Sequence, residues 1–391
     1  MSLPNITFNI AKDGLGQSQA DIQKIPGMVL TGATVAGAGK VTIGNSYQIF
    51  SLPEAVALGI DETGTNAFAY RHIKAFYDMA KTGAELWFML AGAAVTMEDM
   101  ADKEKLFGAK LLADAGGKVR VLGLLKKSGA AEVITNGLDA DAHLAAIKAE
   151  ALAADFSTRY NYVRILISGN KFSGTIADLK DYDTEAFNHV AMLIGNTDGS
   201  KEASIGLILG RLASIPSQRK LSRVKDGPVD NLQAYFTNGN PVESLATGWN
   251  AIHDKHYIFL RSFSGRSGYY FTSDCTLTAT SDDFNSLARG LVMDEAVLLA
   301  YNTLVEELSD EVPVTQEGTI HPAIIKTWQQ NVDGEIRNLM VAEGKLSDVK
   351  VFIDANQNIL TTGNFNVGLQ LLPVGYSDYI IVNIGFTTNI E

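Results

Sequence analysis

Apolar residues in the last third of the chain recur at two periods. From Ser281 the pattern is helical: Leu287, Leu291, Leu298, Tyr301, Val305 and Leu308 lie three, four or seven apart and form one stripe. Ser281-Asp282-Asp283 supplies N-cap residue types before it, and Asp310, Glu311 and Pro313 close it. A second stripe, Ile325, Trp328, Val332, Ile336 and Leu339, starts at His321-Pro322 and stops at Gly344. Three stretches of period two follow: Val349, Val351 and Ile353; Val367, Leu369 and Leu371; and Ile380, Val382, Ile384 and Phe386. This pattern predicts two helices and then three strands.

Upstream, Ile6, Phe8 and Ile10 alternate with polar residues and predict a short strand. A polar, glycine-bearing connector, Asp13 to Gln19, separates it from the rest. Its partner edge is either in its own domain or on a neighbouring subunit. From Pro26 on, short apolar strands alternate with helices. Strands are expected at Met28–Thr31, Leu86–Leu90, Val119–Leu125, Val163–Ile167, His189–Ile194, Tyr257–Leu260 and Tyr269–Thr272. Helices are expected up to Gly59, over Asn66–Lys81, from Thr96 to about Ala115, over Asp139–Ala154 and over Ser200–Leu212. Ser51-Leu52-Pro53-Glu54 and Thr96 to Asp99 carry capping spacings. Near-continuous apolar strands alternating with helices predict an α/β fold, a mostly parallel sheet with helices on both faces. The C-terminal module is α+β, and both chain ends are strand-like arms. The expected organisation is an arm and linker over 1–25, a body over 26–280 with room for a division near 155, and a module over 281–391.

A length of 391 residues allows two or three domains. A net charge of −12 argues against a broad nucleic-acid surface. Within this acidic chain Arg211, Arg219, Lys220, Arg223 and Lys225 stand together, as a solvated loop or as a contact for an acidic surface. One cysteine, Cys275, excludes an internal disulfide and fits a reducing compartment. The first residues lack the basic and apolar regions of a signal peptide, and the longest apolar run, Leu86 to Val95, is too short to span a bilayer.

Candidate chemistry is sparse. The glycine-rich stretch ending in Gly39-Lys40 fails as a phosphate loop: Thr34 stands at the first glycine position and Val41 at the magnesium-binding hydroxyl. Gly37-Ala38-Gly39 lacks the third glycine of a dinucleotide fingerprint, since Thr42 stands there. His253 and His256 are spaced for one face, yet two ligands make no zinc site, and His321 before Pro322 reads as a helix cap. Cys275 reads as a small core residue. No Gly-x-Ser-x-Gly elbow is present. The expectation is no catalytic residue, no cofactor and no metal.

Several stretches together resemble the tail sheath proteins of contractile phage tails and related injection machines. They are Gly290-Leu291-Val292-Met293-Asp294-Glu295-Ala296 in a long helix, the Pro-initiated helix, Gly344 to Val351, and the closing strand after Pro373 and Tyr376. Phe76 to Ala80 and Thr82 to Met89 are similar to a sheath-like family carried by bacterial prophages. Where many sheath proteins have a basic pair at the start of the long helix, only Arg289 stands. The resemblance implies a structural subunit of a contractile sheath, in stacked hexameric rings around an inner tube. Its partners would be other copies, the inner tail-tube protein, and baseplate and tail terminator proteins. It would assemble in the host cytoplasm and end in a virion tail or injection particle, without nucleotide hydrolysis. Sheath subunits link through extended termini, which points to Ile6, Phe8, Ile10, Ile380, Val382, Ile384 and Phe386 as arm residues. Arg219, Lys220, Arg223 and Lys225 would form an assembly loop. The alternative is an α/β enzyme, a hydrolase or nucleotide-binding protein, with an unrecognised site.

Overall fold

A computed structural model describes residues 24–229, 231–308 and 310–382, and divides the chain into two compact units, the first ending at Glu295 and the second starting at Ala296. The boundary falls within a helix, downstream of the junction expected at residues 273–281. Each unit has its own apolar cluster.

The first unit is built on one seven-stranded sheet. Its strands are β1 (Ile25–Thr31), β2 (Ser46–Ile49), β3 (Leu86–Ala91), β4 (Val119–Leu125), β5 (Arg164–Ser168), β6 (Val190–Leu193) and β7 (Tyr257–Ile258). Their order is β7-β6-β5-β4-β1-β3-β2, and all pairings are parallel except that of β2 with β3. Strands from both sides of residue 155, where the sequence left room for a division, join this one sheet. Every residue of β1, β5 and β6 is buried, as the apolar runs predict for a sheet covered on both faces.

Helices α1 (Leu52–Ala57), α2 (Ala67–Met79), α3 (Met97–Ala101), α4 (Gly108–Asp114), α5 (Ala140–Ser157) and α6 (Ile205–Ser214) supply the cover, and a short helix α7 (Trp249–His253) precedes β7. Gly123 of β4 faces Ile205 and Leu209 of α6, while its neighbour Leu122 faces Gly108 of α4. Successive strand residues point to opposite faces, so α6 and α4 lie on opposite sides of the sheet. Helices α2 and α6 pack through glycines: a Cβ on Gly206 would stand 1.9 Å from the His72 carbonyl oxygen, and one on Gly210 would stand 2.4 Å from that of Phe76. Only glycine permits this approach.

The helix expected from Thr96 to Ala115 is two. Thr96 Oγ1 accepts from Asp99 N at 3.0 Å as the spacing predicts. Asp102 then leaves the helical region at ψ 122°, and its carboxylate accepts from Glu104 N. The chain returns so closely that a Cβ on Gly108 would lie 2.6 Å from the Met100 carbonyl oxygen. The helix expected from Ser200 begins at Ile205, because Asn196 and Asp198 hold residues 199 and 200 in turns. The segment expected as a last strand pairs as an antiparallel ribbon, β8 (Leu260–Phe263) with β9 (Arg266–Phe271), outside the main sheet.

Helix α8 (Leu287–Val305) starts six residues after Ser281. Asp282 Oδ1 accepts from Phe284 N at 2.7 Å, a local turn that competes with helix initiation. Ser286 Oγ instead accepts from Arg289 N, and Asp274 Oδ2 from Ala288 N. Val305 and Leu308, the last positions of the expected stripe, are exposed.

In the second unit α9 (Pro322–Ile336) is capped by His321, whose Nδ1 accepts from Ala323 N at 3.3 Å. A π turn over Arg337–Val341 extends it, and Gly344, at φ 71°, ends it. Two antiparallel strands follow, β10 (Leu346–Ile353) and β11 (Val367–Pro373). Val349, Val351 and Ile353 are buried, and β10 packs against α9. Arg337 bridges Asp333 and Asp348, each at 2.6 Å, tying helix to strand. The third expected strand is not formed over its described part. Residues 374–382 are irregular and pair with no described strand, with Ile380 80% and Val382 75% exposed. No helix among the described residues is long and apolar enough to cross a membrane.

Candidate functional site

Open α/β sheets bind ligands beyond the carboxyl ends of their strands, where the strand order reverses. Here that point is β1, which has β3 on one side and β4 on the other. A groove beside it is lined by Phe68, Arg71, His72, Lys127, Asp198 and Glu202. The charges that line it are paired with one another. Buried Glu202 accepts from Ser128 N at 2.8 Å through Oε1 and pairs with Arg71 at 3.1 Å through Oε2. Arg71 also pairs with Asp198 at 3.0 Å. The backbone N–H that an anionic ligand would meet thus already carries a carboxylate. Burial, and then the neighbouring Arg71 charge, hold the His72 imidazole well below its usual range, so it is neutral at pH 7.

The other sequence candidates are absorbed structurally. Lys40 donates to the Ala57 carbonyl at 2.7 Å, at the end of α1, and Val41 is fully buried. Burial pushes the Cys275 thiol up to about 12, leaving it un-ionised and unreactive at neutral pH. His256 lies 3.2 Å from Asp183, whereas His253 lies 3.8 Å from Asp254. Among the described residues no group of three or more His, Cys, Asp or Glu is placed to hold a metal ion.

The basic segment separates into two parts. Arg211 is buried and donates to the carbonyls of Asp226, Gly227 and Pro228 at 2.8–3.0 Å, so it shapes the loop from within. Arg219 and Arg223 both reach Asp226 Oδ1, at 3.2 and 2.5 Å. Arg223 and Lys225 are exposed, and Arg219 and Lys220 are half-buried.

Of the arm residues, Ile6, Phe8, Ile10, Ile384 and Phe386 lie outside the described residues, and Ile380 and Val382 stand exposed. Strands β10 and β11 form a two-stranded ribbon whose outer edges no other described strand occupies. Phe352 and Leu372, on the face away from the buried positions, are each 57% exposed. Tyr379 and Ile381 are also exposed, so the ribbon is followed by a run of solvent-facing apolar side chains.

One interaction escaped the sequence reading. Arg164, at the start of β5, grips Asp294 of α8 through Nε at 2.8 Å and Nη2 at 2.5 Å, and both side chains are under 8% exposed. Its guanidinium also donates to the carbonyls of Asn188 and Gly290. A Cβ on Gly290 would lie 2.5 Å from Arg164 Cζ, so glycine makes room for the pair. The available signal was a charge set against an apolar run in each case, Arg164 before Ile165-Leu166-Ile167 and Asp294, beside Glu295, within α8.

The family described as "DUF2586, N-terminal domain" matches residues 3–275, and "DUF2586, C-terminal domain" matches 283–391. No curated protein matches the chain. Among solved structures, one chain from the "anti-feeding prophage (AFP) baseplate, 6-fold symmetrised" is 14% identical, with a TM-score of 0.64 and all of both chains covered. A chain from the "anti-feeding prophage (AFP) helical sheath in contracted state" is 13% identical, again at 0.64 with both chains fully covered. A chain from "an Extracellular Contractile Injection System, PVC sheath complex in contracted state" is 14% identical at 0.59, covering 100% of this chain and 98% of the other. The mixed α/β fold, with its mostly parallel sheet and C-terminal helix-and-strand module, is therefore shared with chains of contractile injection assemblies from end to end.

Proposed function

The chain belongs to the DUF2586 family, and from that premise we propose that it is a structural subunit of a contractile tail sheath. The observation that carries this reading is the likeness to a chain of a contracted helical sheath, which leaves no part of either chain over. In the crevice beside β1, where this class of sheet holds a ligand, Glu202 already takes the Ser128 N–H and Arg71, which is in keeping with this reading. Copies would stack in hexameric rings around an inner tube and meet a baseplate at one end and a terminator at the other. Contraction would repack the copies and needs no nucleotide. The ribbon β10–β11 would receive strands from the termini of neighbouring copies, with Ile6, Phe8 and Ile10 from one end and Ile380, Val382, Ile384 and Phe386 from the other. Main-chain bonds would supply adhesion, and the alternating apolar residues would set register.

Negative-stain microscopy of the concentrated protein tests the function. Tubes or stacked rings are expected. Discrete particles at every concentration and salt would refute it and favour an enzyme reading.

A further inference from the structure

The chain is acidic overall, so two copies approaching at random repel one another. Its charges are unevenly spread. Between Arg219 and Asp226 stand four cations, Arg219, Lys220, Arg223 and Lys225, against the single carboxylate of Asp226. Asp226 is spent on Arg219 and Arg223, and exposed Lys225 forms no ion pair among the described residues. Burying Arg211 against carbonyls 226–228 fixes the loop's backbone, so these cations are presented on a held scaffold rather than a loose strand.

The opposite charge is concentrated in the second unit. No Lys or Arg occurs between Arg289 and Lys326. Within that span Glu306, Glu307, Asp310, Glu311 and Glu317 follow one another along the end of α8 and the loop after it. Glu306, Asp310, Glu311 and Glu317 are exposed, and none of the five forms an ion pair among the described residues. Leu308 stands among them, 70% exposed, and supplies an apolar centre to the carboxylates.

We propose that the basic loop around Arg223 and Lys225 docks on the carboxylates of Glu306, Asp310 and Glu311 of a second copy of this chain. The inference deepens the sheath reading and rests on it, because it names a second contact between copies besides the shared strands. Two different, complementary patches on one chain make a head-to-tail contact. Such contacts propagate into rings or helices rather than closing a two-fold dimer. Exposed pairs attract over about a Debye length and weaken with salt, so the contact steers copies and can be re-formed when they repack.

Charge reversal in trans tests it. One variant carries Lys220→Glu, Arg223→Glu and Lys225→Glu, and the other carries Glu306→Lys, Asp310→Lys and Glu311→Lys. Circular dichroism and thermal melting first establish that both fold. Each alone is expected to need on the order of tenfold more protein to assemble in sedimentation and microscopy at low salt. An equimolar mixture should recover wild-type assembly, because each altered loop then meets an altered acidic segment on its neighbour. Variants that assemble as the wild type does, or a folded pair whose mixture stays unassembled, overturn the contact and leave the sheath reading standing. Wild-type protein that stays monomeric throughout overturns both.

Discussion

In the body, seven strands are covered by helices on both faces, and Arg164 and Asp294 form a buried ion pair. In the C-terminal module, a two-stranded ribbon is packed on α9, its outer edges taken by no other strand among the described residues, and apolar side chains from Tyr379 to Val382 face solvent. An unpaired strand edge is a template for another chain; among the described residues five of the body's seven strands are paired on both sides, whereas both strands of the module's ribbon are edges. The body is thus built to hold a shape, and the module is built to be completed by something else. Substitutions in the body should therefore change stability, and substitutions in the module's open features should change assembly.

The largest effect is expected at the buried pair. Arg164→Ala leaves the Asp294 carboxylate uncompensated and should cost about 3–5 kcal/mol. For a unit this size that lowers the melting midpoint by about 10 °C, measured by calorimetry or circular dichroism. A variant that melts with the wild type would show the pair to be dispensable. Gly206→Ala comes next. Its methyl would meet the His72 carbonyl oxygen, so α2 and α6 must separate, at a cost of about 1–3 kcal/mol in denaturant unfolding.

A smaller, pH-dependent term comes from histidines. Burial holds His72 and His143 below their usual range. The unfolded chain therefore binds protons near pH 6.5 that the folded chain does not. Stability present above that pH is lost as pH falls, by up to about 1.4 kcal/mol per pH unit for each such histidine. Melting midpoints should decline between pH 7 and 5, and a flat profile would contradict the buried neutral state. The smallest stability effect is expected in the module. Ile380→Lys with Val382→Lys should shift unfolding by less than about 0.5 kcal/mol, since both side chains are already in solvent. The same variant should fail to form tubes.

The body was legible in the sequence because β1, β4, β5 and β6 are apolar on both faces, and few sheets other than a covered parallel one accept such strands. The two module helices were legible from their stripes and from the cap at His321. The errors share a cause in local polar competition: Asp282 binding Phe284 N, Asp102 binding Glu104 N and Asp198 binding Ser200 N each moved a helix boundary. The Arg164–Asp294 pair joins residues 130 apart, and nothing in local periodicity specifies such a partner. The final strand is not formed over its described part, residues 377–382, for a different reason. Its alternation is present, but a strand exists only against an edge, and the edge it fits need not lie in the same copy. Likewise, spacing alone could not show that Arg211 faces inward while Arg223 and Lys225 face outward.

Cryo-electron microscopy of the assembled tubes bears most directly on the account. The ribbon β10–β11 of one copy is expected to carry added strands formed by the terminal residues of neighbouring copies, with Ile380 and Val382 buried in the contact. Deleting residues 1–12 should then leave a folded subunit that forms no tubes. Tubes in which every ribbon remains two-stranded, or normal tubes from the deletion variant, would contradict it.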